Sequence, residues 1–344
     1  MKKLCKYGTN RVISPVGVLP QAATVIDNTM EIYDNELLID VLTLNIDSAS
    51  FTQIKKATNN NPLEMEKMIL NIVKERGKMQ NPVTGSGGML IGTVKQVGSK
   101  FPDQTLKVGQ KIATLVSLSL TPLKIKSINN INLSNDQVDI TGQAILFESG
   151  IFAKVPEGMD QKLVLAALDV AGAPAQVDKL VNKGDTVAII GAAGKSGVLC
   201  AYQAMKKATR TGKVIGIVNL KHQIDDLNAL GLCDEIVLAD ATNALDVYDK
   251  VLKINNNEQV DVTINVVNVE NTEMSCILIT KDSGKVYFFS MATSFTKAAL
   301  GAEGVGSDVT MLIGNGYTKG HAELTLKLID ESKVIRELFE RIYT

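Results

Sequence analysis

Hydrophobic and polar positions divide the chain into two textures. From about residue 163 onward, short apolar β-rich runs alternate with stretches at helical spacing. The runs are Thr186–Ile190, 214–218, Glu235–Leu238, 260–267, 286–290 and 309–313, with helical patterns between most of them. Short unbroken apolar runs of this kind predict parallel strands buried between helices. Six of them make a doubly wound α/β sheet, expected in the order 3-2-1-4-5-6. Two further helical segments, 321–330 and 333–341, close the chain.

The first 160 residues are β-rich instead. Residues 36–44 alternate and then run apolar, as a strand entering a core does, and a polar turn, 45–50, follows. Met65, Met68, Ile69, Ile72 and Val73 fall at helical spacing, so 62–78 is an amphipathic helix with a core-facing stripe. A glycine-rich loop, 81–88, leads into a strand at 89–97 interrupted by Gly92. A turn at 107–111 precedes a strand at 112–118, the Asn-rich stretch 127–139 reads as loop, and 148–156 is one last strand. Short strands with turn signals at such intervals predict a small barrel or sandwich.

The chain has 344 residues, 45% hydrophobic and 21% charged, which fits a globular protein of two domains. Lys plus Arg total 36 against 37 Asp plus Glu, so no basic field argues for nucleic acid or an anionic membrane as partner. Cys5, Cys200, Cys233 and Cys276 are far apart, form no C-x-x-C, and encode neither a disulfide framework nor a cysteine zinc site. Without an apolar leader or a long uncharged apolar run, the expected location is the cytoplasm.

The most informative stretch joins the first apolar run of the second half to its helix. After Thr186–Ile190 comes GAAGKSG, then a helical stretch over 198–207. Strand, glycine turn, helix is the context that turns a glycine motif into a dinucleotide site. Gly191 allows the tight turn, Gly194 lets backbone N–H groups approach a pyrophosphate, and Gly197 lets the helix pack close to the strand. Ala192, Ala193, Lys195 and Ser196 complete the cradle at the helix N-terminus. A phosphate-loop NTPase would need a glycine five residues before Gly194, where Ile189 stands. A bare tight turn in some other α/β protein remains the plain alternative.

Phe152-Ala153-Lys154-Val155-Pro156, Ala171-Gly172-Ala173-Pro174-Ala175, Lys183-Gly184-Asp185-Thr186-Val187 and GAAGKSG follow one another in an order and spacing that resemble the medium-chain dehydrogenase/reductase superfamily. The resemblance covers nearly the whole chain. It implies a GroES-like β-rich catalytic domain, residues 1–165 with 318–344 returning to it, and a Rossmann dinucleotide-binding domain, 166–317. It also implies a homodimer. Five more blocks, at 5–21, 44–54, 81–94, 113–125 and 168–176, look like the L-erythro-3,5-diaminohexanoate dehydrogenase family. That family's reaction belongs to anaerobic lysine fermentation. It is oxidative deamination, giving 5-amino-3-oxohexanoate and ammonia with NAD(P) reduced. Zinc relatives in the superfamily carry a Cys where this chain has Asp47 and a His-Glu pair where it has Ser86-Gly87, so no zinc is expected.

Oxidising a carbon that bears an ammonium requires that ammonium to lose a proton and water to attack afterwards, both tasks for a carboxylate or a His. Three acids sit at landmarks of the resemblance: Asp47, Asp169 and Glu148. The other role for each is a cap, a loop hydrogen bond or a rim salt bridge. Ser48, Ser50 and Ser86 are candidates to hold substrate, although serines in turns also cap backbone. His321 starts a helix, where capping or exposure explains it. Arg11, Arg76 and Lys78 are available to the substrate carboxylate, each with a solvated surface position as the bland account. At the adenosine end, the second strand finishes at Asn219, where a strict NAD enzyme carries an acid. Lys221 and His222 follow within reach of a 2′-phosphate, so NAD and NADP are both expected to serve. Val267 and Met291, at the ends of later strands, are the remaining cofactor candidates. A zinc-free quinone or enoyl reductase with an apolar pocket is the second enzyme reading, and a crystallin-like or nucleic-acid-binding relative that only binds NADPH is the non-enzyme one.

Overall fold

The computed structural model describes residues 4–290, 292–314 and 316–343. The chain forms two compact units, one running through Leu165 and the other Ala166–Ile342.

The first unit is built on a six-stranded antiparallel sheet. Its strands are β3 (Leu37–Asn45), β4 (Met89–Val97), β5 (Lys111–Thr114), β6 (Leu123–Asn132), β7 (Gln137–Leu146) and β8 (Phe152–Lys154), in the order β6-β7-β3-β4-β5-β8. A short pair, β1 (Val12–Ser14) and β2 (Val25–Ile26), precedes it. Two helices pack beside the sheet, α1 (Ser48–Ala57) and α2 (Pro62–Arg76). Asn61 caps α2, Pro62 opens it, and Gly77 ends it at φ 73. Its stripe of Met65, Ile69, Ile72 and Val73 is buried with Leu37, Ile39, Leu44, Leu90 and Ile112 in one core.

β3 lies in the middle of the unit, between β4 and β7, and both its ends are fixed. At its start, Glu36 is buried beside Arg11 (2% and 1% exposed). The guanidinium donates two parallel bonds of 2.7 Å to the Glu36 carboxylate and further bonds to the carbonyls of Thr29 and Glu31. Glu36 also accepts from the Tyr33 N–H, so nearly every polar atom of this pair is met. Stranding either partner would leave an uncompensated buried charge, at a cost of about 3–5 kcal/mol. Arg11 is therefore a structural residue. So is Lys78, fully buried with its Nζ donating to the carbonyls of Pro20 and Gln21; burial lowers its pKa to about 8.

Four expectations for this unit give way. The polar turn 45–50 is the N-terminus of α1, because Asp47 accepts from the Ser50 N–H and caps it. The loop over 127–139 is the hairpin β6–β7. β6 is an edge strand in which only Leu123 is buried, so its register rests on backbone pairing and leaves no apolar alternation to read. The strand over 112–118 stops at Thr114, and the one over 148–156 shrinks to β8, since Glu148 to Gly150 form a turn.

α3 (Gln161–Leu168) carries the chain into the second unit. There α4 (Gly172–Leu180) leads to six parallel strands and their helices: β9 (Thr186–Ile190), α5 (Lys195–Ala208), β10 (Lys213–Val218), α6 (Lys221–Leu230), β11 (Glu235–Leu238), α7 (Ala244–Ile254), β12 (Val260–Asn265), α8 (Glu273–Ile279), β13 (Thr280–Phe288), α9 (Phe295–Val305) and β14 (Thr310–Ile313). The order β11-β10-β9-β12-β13-β14 is 3-2-1-4-5-6, the doubly wound sheet read from the sequence. α10 (His321–Glu331) and α11 (Lys333–Tyr343) follow. Residues 318–342 group with this second unit and not with the first, because α10 packs on α4 and α5 and buries Ala322, Leu326 and Ile329.

Candidate active site and cofactor cleft

The second unit holds a cleft of about 400 Å³ at the carboxyl ends of β9 to β12. It lies where strand order reverses, between β9 and β12, the place at which open α/β sheets bind ligands. Gly191, Ala193 and Gly194 form its floor, Asn219 and Gln223 one side, and Val267 another. Asp240, Ala241, Asn268 and Val269 also line it. The sequence reading missed these four and Gln223. The rule that ligands meet strand carboxyl ends would have pointed to residues just past β11 and β12.

The three motif glycines do different work. Gly191 turns at φ 88, which glycine adopts freely, and a Cβ there would crowd Val267 at 3.1 Å. A Cβ on Gly197 would run into the Gly191 and Ala192 carbonyls, so this glycine sets the packing of α5 on the turn. Gly194 has an ordinary φ of −77, and a Cβ built on it meets nothing nearer than 3.5 Å. Folding does not require glycine at 194, yet a side chain there would project into the cleft. A pyrophosphate lying over that open backbone, before the free N–H groups of the first turn of α5, is what the arrangement fits.

Ala192 is buried against the core instead of lining the cleft, and Ser196 sits half-buried in the first turn of α5. Lys195 Nζ pairs with Asp169 at 2.7 Å. Asp169 is thus joined to the glycine loop, a link its place in the sequence did not disclose. Lys221 and His222 are exposed at the start of α6 and do not line the cleft. Gln223 Oε1 accepts from the N–H groups of Asn219 (3.3 Å) and Leu220 (3.1 Å) and occupies the head of that helix. Met291 lies outside the described residues.

In the first unit, Asp47, Ser50 and Ser86 come together around Thr84, which sequence reasoning overlooked. Ser50 Oγ and Thr84 Oγ1 are 2.6 Å apart, and Thr84 Oγ1 also accepts from the Ser86 N–H. Buried Asn81 organises the loop, accepting from the N–H of Val83 and donating to the Ser50 carbonyl and Gln53. Gly88, at φ 99, closes the contact, since a Cβ there would strike Asn45 O and Asp47 N. One carboxylate oxygen of Asp47 caps α1, while the other, Oδ2, is buried with no hydrogen-bond partner. Ser48 donates to Asp136 Oδ2 at 2.8 Å.

Glu148 does not join this group. It accepts from Asn35 Nδ2 at 3.0 Å, beside the start of β3, whereas Asp47 follows its end. Eight residue steps of extended strand separate the two places by roughly 25 Å. His321 is buried, edge-on to Tyr317, and burial lowers its pKa. Among the described residues, no three His, Cys, Asp or Glu side chains are grouped to hold a metal ion.

A GroES-like antiparallel unit and a Rossmann unit on one chain, with a glycine cradle in the latter, make the fold of the medium-chain dehydrogenases and reductases. A quinone oxidoreductase from Coxiella burnetii superposes with a TM-score of 0.55 at 18% identity, over 94% of this chain and 93% of that one. A mycobacterial protein solved with NADPH gives a TM-score of 0.57 at 16% identity, over 93% and 85%. Residues 10–156 match the family model of the L-erythro-3,5-diaminohexanoate dehydrogenase N-terminal domain. The chain is 58% identical to the L-erythro-3,5-diaminohexanoate dehydrogenase of Acetoanaerobium sticklandii over 342 residues, 99% of each chain. It is 60% identical to that of Fusobacterium nucleatum over 344 residues, all of both chains. The chain belongs to this L-erythro-3,5-diaminohexanoate dehydrogenase family.

Gly194→Val should abolish NAD(P)H binding, read by nucleotide fluorescence, while the melting temperature holds. Gly197→Val should instead lower the melting temperature itself, because overpacking costs about 1–3 kcal/mol or more of stability. Normal NAD(P)H binding by Gly194→Val would remove the pyrophosphate from this turn.

Proposed function

We propose that the protein oxidatively deaminates L-erythro-3,5-diaminohexanoate to 5-amino-3-oxohexanoate in lysine fermentation. The observation that carries this is 58–60% identity along the whole chain to dehydrogenases of that name, together with a glycine cradle whose middle glycine folding does not need. Substrate ammonium, water and oxidised cofactor give ketone, ammonium, reduced cofactor and one proton, so the balance needs a proton acceptor at nitrogen and at water. Bound NAD(P)+ supplies the acceptor for the hydride.

Asp47 is the residue for the proton. Its Oδ2 is free of protein partners while Oδ1 is held by the Ser50 N–H, so the carboxylate is oriented without being consumed. It draws the proton from the ammonium and releases it to solvent, the one proton of the balance. After the hydride has left carbon, the same oxygen takes a proton from the water that adds to the iminium carbon and returns it to the nitrogen, which departs as ammonia and leaves, with the proton of the hydroxyl, as ammonium. Ser50, Thr84 and Ser86 fix the wall beside it. Asp169 acts through Lys195, which it holds at the cofactor loop, and is a positioning residue in this scheme. The scheme gives zinc no role, because Asp47 and Ser86-Gly87 stand where zinc relatives of the superfamily carry a Cys and a His-Glu pair. Carboxylates at Asp47 and Asp136 suit a cationic substrate, the opposite of the apolar pocket a quinone or enoyl reductase would need.

Asn219 puts no charge against a 2′-phosphate, so NAD and NADP both serve. The partner is a second copy of the chain. β14 is one of the two free edges of the parallel sheet and presents Ile313 at 64% exposure, with Phe295 and Leu300 of α9 also exposed. No helix among the described residues is long and apolar enough to cross a membrane, and four unpaired thiols accord with a reducing cytoplasm.

Turnover of the diamino acid, assayed with a chelator present, should fall by about 10²-fold or more in Asp47→Asn with cofactor affinity little changed. Asp169→Asn should chiefly raise the KM for cofactor. Near-normal turnover in Asp47→Asn would eliminate that residue as the base. In Asn219→Asp, steady-state constants should show preference moving toward NAD by about 1–3 kcal/mol, through repulsion of the 2′-phosphate; an unmoved ratio would place the ribose elsewhere. Sedimentation should give twice the chain mass, and Ile313→Lys should halve it. A monomeric wild type would refute the edge-strand pairing.

A further inference from the structure

Six buried side-chain polar atoms among the described residues have no hydrogen-bond partner, and three of them belong to residues at one end of the β3–β7 pairing. They are Asp47 Oδ2, Asn135 Oδ1 and Gln137 Nε2. Gln137 opens β7 directly opposite Asn45, the last residue of β3. The Ile46 N–H donates to the Asp136 carbonyl at 3.0 Å, and Ser48 donates to the Asp136 carboxylate. The end of β3 and the β6–β7 turn are thus tied together, and the three unmet atoms come from the two sides of that tie. Gln137 is only 2% exposed, and its Oε1 already accepts from Asn135 Nδ2 at 3.4 Å. What remains unmet is a carboxylate oxygen, an amide oxygen and an amide N–H pair.

Leaving such atoms unpaired out of reach of water is costly, and native proteins do it rarely. Two acceptors beside one donor are complementary to an ammonium beside a carboxylate. A 3-amino acid carries those two groups on carbons separated by a single methylene, the short spacing that three neighbouring side chains can span. Asp136, between the two amides, adds a second negative charge for a ligand with a second ammonium.

We propose that Asn135 and Gln137 are specificity residues of the substrate site. Gln137 Nε2 donates to the substrate carboxylate, and Asn135 Oδ1 and Asp47 Oδ2 accept from the reacting ammonium. The assignment rests on the diamino acid reading of the function and supplies the group for the substrate carboxylate that neither Arg11 nor Lys78 is free to be.

The test compares the full-length wild type with Gln137→Met, which keeps volume and removes the N–H groups. Each is titrated calorimetrically, with NADH present, with L-erythro-3,5-diaminohexanoate and with 2,4-diaminopentane, the same diamine without its carboxylate. Gln137→Met should weaken binding of the diamino acid roughly 10-fold or more and leave the diamine unchanged, with a melting temperature equal to or above wild type. Equal affinities in wild type and variant, the result expected if a trapped water meets these atoms, would overturn the proposal. An equal loss for both ligands would overturn it as well. Should Gln137→Met not fold, Asn135→Ala serves as the second variant and should weaken both ligands, the reacting ammonium being common to them; unchanged affinities there would overturn the proposal too. Wild type that binds the diamino acid in a Gln137-dependent way but does not oxidise it would keep the subsite and refute the proposed reaction. Wild type that does not bind it refutes both.

Discussion

The Arg11–Glu36 pair is the constraint on which the first unit depends. Both groups are out of water, and each is worth keeping only because the other is present with a full set of hydrogen bonds. The pair binds the N-terminal segment to the residue that immediately precedes β3. β3 then runs through the centre of the sheet and ends two residues before Asp47. Gly88 and the Asp136 carbonyl hold that far end. A side chain proposed to move protons is therefore positioned by a strand fixed at both ends, with no mobile loop needed to carry it.

The second unit solves its positioning problem differently. Parallel strands leave their carboxyl ends level, and the turn after β9 is made low by glycine so that a ligand can lie across several ends at once. Asp169, from the link before α4, reaches Lys195 at the head of α5 and joins the start of the unit to the glycine turn after β9.

Much of this was legible in the sequence, for physical reasons. Buried parallel strands must be apolar on both faces, so Thr186–Ile190 at the centre of the sheet could be read to the residue, and the strand order followed from the alternation with helices. The stripe of α2 was visible because it faces a core. The hairpin β6–β7 was not, since an edge strand such as β6 satisfies its backbone on one side and water on the other and asks little of its side chains. The same blindness hid Asn135 and Gln137, which lie in and beside the turn of that hairpin. Asp47 was a candidate through resemblance, but its unmet oxygen could not be read, because hydrogen-bond shortage is a property of three-dimensional neighbours. Glu148 was a further candidate after Asp47 and Asp169, and strand register puts it at the opposite end of β3 from Asp47.

The three glycines of the turn after β9 also separate two kinds of selection. Mutation at Gly191 or Gly197 is opposed by folding itself, whatever the protein is used for. Mutation at Gly194 is not opposed by folding, and on the proposed reading only the bound cofactor resists it. A descendant released from its cofactor would be free to drift at 194 while still retaining 191 and 197, so this one position acts as a historical marker of whether a lineage has kept its chemistry.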